Sequence, residues 1–567
     1  AFARKARIVH IDVDPAETRT YLRKVNEYMT DIDVSPSGKR ALITARGDLY
    51  TVPRENGSIR NLTESSSARD KNAVWSPDGK KIAWLSDASG EYEVYVMNAD
   101  GSGAPVKLTT HRNGYRFALS WSPDSRKLAF TDQTLALILL DVATGKETVV
   151  DKAEYENIDV SQEKKPIHDY AWSPDSRYIA YVKMDENLVY HIHLYSLETG
   201  KHQDISEGIF NDFSPAFTQD GRHLLFISNR RFNPTYCDFE WEVVYKNVAG
   251  IYALTLQKNG ERLLPLESDE EAGAKAGTDK GVKSGTVKVS IDFDGLAERI
   301  EALPLKAGNY RSLKTSDKGI FYLNKEEGDF NFFEFRVPNE MDLFCFDTGK
   351  RKERSVIKGI QGYSLSADGS SIAFLRGDDA GIIDSSAKDD PGKGLNLRNL
   401  TMWVDPVAEW TQLFNEAWRL ERDYYYDENM HGLNWNLMKE KYGKLIRHAS
   451  CRQDVVYIIG ELIGELNTSH TYVYGGDQQR RPNRVNVGML GVDWVVDDTN
   501  HLYKFGKIYT VPDWSRGIEP PLAGAARNVK AGDYLLMING RKVSSDKNIY
   551  SYFQNLAGEQ VTLTVNS

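Results

Sequence analysis

The chain has 567 residues, a formal charge of −10, 41% apolar and 27% charged residues, and 62 aromatic side chains (30 Tyr, 21 Phe, 11 Trp). That length exceeds one ordinary core and calls for several domains or a large repeat, and the composition is that of a folded protein rich in β-structure. A mild negative charge without a basic stripe excludes a nucleic-acid footprint or an anionic membrane surface, and no run nears the ~20 apolar residues of a bilayer span.

The start, AFARKARIVH, lacks the charged-then-apolar layout of a secretion signal. Cys237, Cys345 and Cys451 are too few and too far apart for a disulfide framework or a thiolate metal site, which permits a reducing compartment. A cytoplasmic location is expected, or a periplasmic one had an upstream signal peptide been removed.

A turn of the form S-P-D-G, each followed by a short alternating apolar strand, then recurs along the chain. It stands at Ser35-Pro36-Ser37-Gly38, at Ser76-Pro77-Asp78-Gly79 within AVWSPDGKKIAWLSD, and at Ser122-Pro123-Asp124-Ser125 and Ser173-Pro174-Asp175-Ser176. Related turns are Thr218-Gln219-Asp220-Gly221, Ser316-Asp317-Lys318-Gly319 and Ser366-Ala367-Asp368-Gly369, which makes seven. Proline presets φ at the first turn position and Asp-Gly supplies the reversal. Most spacings are about 40 to 50 residues, the period of a four-stranded propeller blade. The repeats predict one closed seven-bladed β-propeller over 28–397, its blades beginning near 32 and ending near 386. The stretch 268–290, rich in Gly, Lys, Asp and Glu, reads as a mobile insertion. Trp75, Trp121 and Trp172 recur at one blade position and read as packing between blades. His191 and His193 alternate on one strand, but no H-x-x-x-H spacing with a carboxylate accompanies them. Neither a metal nor a cofactor is expected.

From about 398 to 480 the spacing becomes helical. Asp405-Pro406 is a helix start, with Asp as cap and Pro in the first turn, and Trp410, Leu413, Phe414, Ala417, Leu420 and Tyr424 fall on one face. A second helix is predicted over 435–448. A third opens at Ser450-Cys451-Arg452-Gln453, read as a capping box, and runs through Val455, Ile459, Leu462 and Ile463 to Leu466. It ends in GELNTSHTYVYGG. Over 485–567 short strands return, clearest in GDYLLMINGRKV, where Asn539-Gly540 makes a hairpin turn beside the strand of Leu535, Leu536 and Ile538.

The order of these motifs is specific: blades, a D-P-x-x-E-W helix leading to R-D-Y-Y-Y-D, a helix ending in Leu466-Asn467-Thr468-Ser469-His470-Thr471, then GMLGVDW and a G-D-Y-L-L-x-I-N-G strand. It resembles the tricorn protease family, related to the carboxyl-terminal processing peptidases. The resemblance implies a mainly β chain with a small α segment: a seven-bladed propeller, a helical catalytic subdomain and a PDZ-like domain. It implies a serine endopeptidase that degrades oligopeptides, with the propeller as substrate passage and a homohexameric assembly. It assigns His470 as general base and Ser469 as a supporting hydroxyl in a Ser-His-Ser-Glu tetrad.

The family's nucleophile, Glu partner and oxyanion donors lie after the PDZ-like domain, so none is expected within these 567 residues and the chain alone is expected to be inactive. Residues 1–27 are expected to be a linker from an upstream domain. The imidazole suits the assigned role, since its ordinary pKa lets it take and return a proton near neutrality. Two alternatives stay open: a non-catalytic module whose propeller and PDZ-like domain hold peptides or proteins, with Ser469 and His470 structural, and a periplasmic propeller of the Tol type.

Overall fold

Each S-P-D-G-type turn closes a hairpin between the first two strands of an antiparallel sheet, and side-chain chemistry explains the motif. Ser76 Oγ donates to Asp78 Oδ1 (2.7 Å) and accepts from Lys81 N (2.9 Å). The same pair of bonds recurs at Ser122, Ser173, Thr218 and Ser366. The turn thus carries its own hydrogen-bond set, with Gly79 at φ 76° in the left-handed position. Ser125 and Ser176 occupy that position at φ 60°. Their hydroxyls accept Asp78 N and Asp124 N (both 3.1 Å) from the preceding repeat, so serine trades backbone ease for a link between neighbouring sheets.

The computed structural model describes residues 16–111, 114–155, 167–206, 208–232, 234–236, 242–266, 287–326, 340–477, 485–510, 520–523 and 528–567. The chain divides into two units, 1–475 and 476–567.

Among the described residues of the first unit, seven antiparallel sheets of three or four strands span 29–61, 70–107, 116–152, 167–204, 212–302, 310–360 and 362–384. The first six have four strands each, and the seventh has three together with a bridge between Gly381 and Gly394. The fifth sheet carries an extra hairpin, Pro234–Tyr236 with Val243–Tyr245. Most of the insertion expected at 268–290 lies outside the described residues. Its end is anchored rather than mobile: Val289 is buried and its N–H donates to Asp175 Oδ2 (2.8 Å).

Neighbouring sheets are joined near their first strands. Trp121 Nε1 donates to Val74 O (3.2 Å), Ser214 N to Asp169 Oδ2 (3.0 Å) and Leu313 N to Ser214 Oγ (3.0 Å). Tyr363 OH donates to Ser312 O (2.6 Å). The ring closes at Asp33, whose carboxylate accepts Trp75 N (2.7 Å) from the second sheet and Ser364 Oγ (2.6 Å) from the seventh. Asp368 N adds a bond to Pro36 O (3.3 Å). Among the described residues no strand is exchanged between the first and last sheets; these bonds and the core shared by Val34, Ile43, Ala373 and Ile382 hold the seam.

Where a linker is expected at 1–27, Tyr21–Lys24 forms a strand antiparallel to Thr401–Val404. Val25, Leu400, Met402 and Val404 are buried in the seam core, tying the chain's entry to the start of the helical segment.

That segment has three helices among the described residues: α1 (Pro406–Tyr424), α2 (Trp435–Ile446) and α3 (Arg452–Gly464). Asp405 caps α1 through Val407 N (3.1 Å) and Ala408 N (3.2 Å). The cap of α3 differs from the expected one: Cys451 is the cap residue, and Asp454, not Gln453, takes Ser450 N (2.7 Å), Ser450 Oγ (2.8 Å) and Cys451 N (3.3 Å). The shorter carboxylate at the third helical position reaches back, and its charge suits the helix N-terminus. Trp410, Phe414, Trp418, Trp435, Tyr442, Ile459 and Leu462 form the core between the helices. Trp418 and Trp435 each donate an indole N–H to the other's backbone carbonyl at 3.0 Å. None of the described helices is long and apolar enough to cross a membrane.

The second unit is a five-stranded sheet of Val492–Asp497, Leu502–Ile508, Tyr534–Ile538, Arg541–Lys542 and Leu563–Asn566. Asn539 (φ 49°) and Gly540 (φ 77°) make the expected tight turn. Leu535 and Ile538 are buried with Phe505 and Phe553, while Leu536 is half-buried.

Asp33→Ala removes both bonds of the closing carboxylate and is expected to destabilise the propeller by about 2–4 kcal/mol. Chemical denaturation monitored by tryptophan fluorescence measures it. A loss under about 0.5 kcal/mol would show that the seam is held by apolar packing alone.

Candidate active site

The loop after α3 is pinned at its start and open at its centre. Leu466 is buried in the helical core, and Asn467 turns the chain at φ 52°, a conformation asparagine tolerates. Glu465 accepts from Tyr442 OH and Lys441 Nζ, both at 2.5 Å. Thr468 Oγ1 shares a hydrogen bond with Tyr425 OH (2.5 Å) and donates to Leu466 O (3.0 Å). Beyond it, Val473 packs on the helical core.

Between these anchors Ser469 and His470 are both exposed, and His470 stands at φ 64°, in the left-handed region that a non-glycine residue occupies only when its flanks hold it. Its Nδ1 lies 3.5 Å from the Tyr472 hydroxyl, with the two rings edge to face. Among the described residues no hydrogen bond joins Ser469 to His470. The backbone therefore presents an imidazole to solvent on a fixed loop. A proton-transfer partner must come within about 2.6–3.2 Å of it to be served.

The anchor Tyr425 belongs to the R-D-Y-Y-Y-D stretch and follows directly on α1. Tyr426 OH and His431 Nε2 lie 2.5 Å apart, and Asp427 Oδ2 accepts His431 N (2.9 Å). Neither the Tyr425–Thr468 bond nor the Tyr426–His431 pair is foreseeable from spacing, because each joins residues through a chain reversal.

Helix α1 itself is held by a buried polar face. Leu420 and Tyr424, expected on its apolar stripe, are exposed, whereas Gln412, Glu416 and Arg419 are buried against the second sheet. Arg419 bonds Asp87 Oδ2 and Glu416 Oε2, and its Nη1 reaches Gly90 O (2.7 Å). Gln412 Nε2 donates to Asp87 Oδ2 (3.0 Å), and Tyr92 OH to Glu416 Oε1 (3.0 Å). Arg422 adds a two-pronged bond to Glu91 (2.7 and 2.9 Å), and Arg46 pairs with Glu409 (2.9 Å). Burial works against the Arg419 charge, but Asp87 and Glu416 outweigh it and hold its pKa above the ordinary value. Burial, then the Glu416 charge, push the Tyr92 phenol well up, so it stays a proton donor.

Beside this contact lies a cavity of about 390 Å³ between α1 and the first strands of the second and third sheets. Tyr115, Phe117 and Tyr424 supply apolar wall, and Arg69, Lys71 and Glu421 supply charge. Lys71 sits 4.4 Å above the Tyr92 ring, and burial raises the Glu421 pKa. Tyr424 lines the cavity while its neighbour Tyr425 holds Thr468, so one helix end serves both features.

Residues 29–386 match the family described as the tricorn protease second beta propeller domain, 406–464 the tricorn protease C1 domain, and 488–567 the tricorn protease PDZ domain. The chain is 24% identical over 566 residues to Tricorn protease homolog 1 of Streptomyces coelicolor, covering 94% of this chain and 50% of the relative. It is 26% identical over 549 residues to the Tricorn protease of Thermoplasma volcanium, covering 93% and 49%. The crystal structure of the tricorn protease superposes with a TM-score of 0.81 at 20% identity, over 98% of this chain and 52% of that one, which shows a common fold. The chain thus spans about half the length of these relatives.

Arg419→Met would leave the Asp87 and Glu416 carboxylates buried without their cation, an expected loss of about 3–5 kcal/mol. Denaturant unfolding followed through Trp410 and Trp418 measures it. A loss under about 1 kcal/mol would show that α1 is held by its apolar face instead.

Proposed function

We propose that this chain, which belongs to the tricorn protease family, is the part of a serine endopeptidase for oligopeptides that carries the general base, His470. The observation that carries the proposal is the loop geometry: an exposed imidazole held at a fixed, left-handed backbone position, next to the anchor that ties the loop to the end of α1. The serine nucleophile and the oxyanion donors are supplied from outside residues 1–567, as the family resemblance implies.

In this reading His470 takes the proton of the attacking serine hydroxyl as the oxygen adds to the peptide carbonyl, and the resulting imidazolium gives it to the leaving amine. Water then repeats the cycle on the acyl-enzyme. Ser469 supports the constellation by orienting a neighbour and moves no proton itself. The propeller serves as the passage for the peptide. The cavity between its inner strands and α1 supports that role, because its aromatic walls suit side chains and Arg69, Lys71 and Glu421 suit backbone or terminal charge.

A second reading, a peptide-binding module without catalysis, draws on the strand Val492–Asp497. Among the described residues it pairs on one side only, with Leu502–Ile508, and its Val495 and Val496 are about half exposed. An extended peptide adds to such an edge through main-chain hydrogen bonds.

In the intact parent protein, His470→Ala is expected to cut turnover of a fluorogenic peptide by about 10³–10⁴-fold or more, with an unchanged melting temperature. Ser469→Ala is expected to cost less. Near wild-type turnover by His470→Ala would replace the catalytic reading with the binding one.

A further inference from the structure

We propose that Asp185, His191 and His193 form a binding site for a divalent transition-metal ion, Zn²⁺ by the chemistry of the donors, on the fourth sheet of the propeller. The backbone builds the site from one hairpin. Tyr178–Met184 and Tyr190–Ser196 pair in register, His191 opposite Lys183 and His193 opposite Tyr181. Strand alternation sends Ile192 and Leu194 into the core shared with the fifth sheet and leaves both histidines on the other face. The turn between the strands is closed by Leu188 N on Asp185 O (2.9 Å), with Leu188 at φ 60°, and this returns Asp185 to His191.

The side chains then converge. Both histidines are 5% exposed and their ring centroids are 4.1 Å apart. Asp185 Oδ2 stands 2.8 Å from His191 Nδ1. One nitrogen of each ring and one Asp185 oxygen all lie within 4.8 Å of one another. Small ring rotations bring that span to the ~3.3 Å edge of a tetrahedral N/O site.

His193 supplies the independent sign of a ligand. Its Nδ1 faces Asp204 Oδ1 at 2.8 Å, while its Nε2 is buried and has no hydrogen-bond partner among the described residues. A buried orphan nitrogen beside a second imidazole and a carboxylate is costly as it stands, and a metal ion satisfies it. Asp204 then plays the outer carboxylate that orients a ligating imidazole and fixes its tautomer. Lys183 stands opposite His191 on the neighbouring strand. Lys183 is itself paired with Asp151 (2.8 Å).

Two imidazoles and one carboxylate are a zinc-type set, whereas Ca²⁺ and Mg²⁺ need mainly oxygen ligands. A fourth position is left for water. The ion would staple the 185–189 turn to the strand that follows it. The spacing H-x-H puts the two histidines on one strand face, but the carboxylate comes from the far side of the turn and the burial from neighbouring structure.

The test uses the tag-free chain, stripped with a chelator and titrated with ZnCl₂ by calorimetry, with X-ray absorption at the zinc edge on the loaded protein. The expected result is one saturable site, imidazole and oxygen ligation with two histidines, and a rise in melting temperature of about 3–5 °C at a hundredfold excess over Kd. His193→Gln should weaken binding by at least about 100-fold and abolish the thermal shift, and Asp204→Asn should weaken it by about 10–100-fold. Should His193→Gln fail to fold, Asp185→Asn at its partly exposed carboxylate and the wild-type absorption spectrum decide the matter. Absence of a saturable site, zinc ligation without imidazole, or wild-type affinity in the foldable variants would overturn the proposal.

Discussion

The placement of α1, and with it of the cavity and the Ser469–His470 loop, depends on one buried ion cluster, Arg419 with Asp87 and Glu416. A helix carrying Trp410, Phe414 and Trp418 would bury its apolar stripe against α2 and α3 whether or not it touched the propeller. What docks the opposite face is polar, and such a contact is directional: a guanidinium with two carboxylates, a glutamine and a tyrosine accepts few alternative registers. Desolvating these charges is costly, so the cluster adds little net stability over an apolar contact of equal size. Its contribution is to fix the rotation and height of α1 on the second sheet.

From that registration the rest follows. With α1 fixed, Tyr424 closes one side of the cavity and Tyr425 reaches Thr468, which sets the stem of the loop carrying Ser469 and His470. The imidazole is exposed, yet its position is inherited through two hydrogen-bonded links from the propeller. The cavity and the stem of the Ser469–His470 loop thus share one helix end, and the buried charges of α1 set where that end stands.

The propeller uses the same logic on a smaller scale. Seven sheets of ordinary apolar packing are fastened by a few side-chain bonds at the inner strands, among them Asp33 between the first, second and seventh sheets. Serine at turn positions where glycine is easier, Ser125 and Ser176, buys the links between repeats that packing alone leaves free to slide. Blade four carries the Asp185, His191 and His193 cluster at a hairpin end.

Local chemistry made much of this readable in advance. The S-P-D-G turns work through bonds spanning five residues or fewer, the Asp405 cap through three, and the Asn539-Gly540 turn through backbone conformation alone, so the seven repeats, the start of α1 and the second unit's hairpin could be read from local residues. The order of motifs likewise identified the family. Tertiary structure decided everything that pairs distant residues. Leu420 and Tyr424 are exposed, and Gln412, Glu416 and Arg419 buried, because the partner Asp87 lies 332 residues from Arg419, and periodicity records polarity but not the polarity of the facing surface. Asp454 takes the place expected of Gln453 because the helix begins one residue later, with Cys451 as its cap, which makes Asp454 the third helical residue. His191 and His193 share a strand face by spacing alone, but only the turn that returned Asp185 and the neighbouring structure that excluded water supplied the third ligand and the burial, since burial is a property of the assembled surface and no local pattern encodes it.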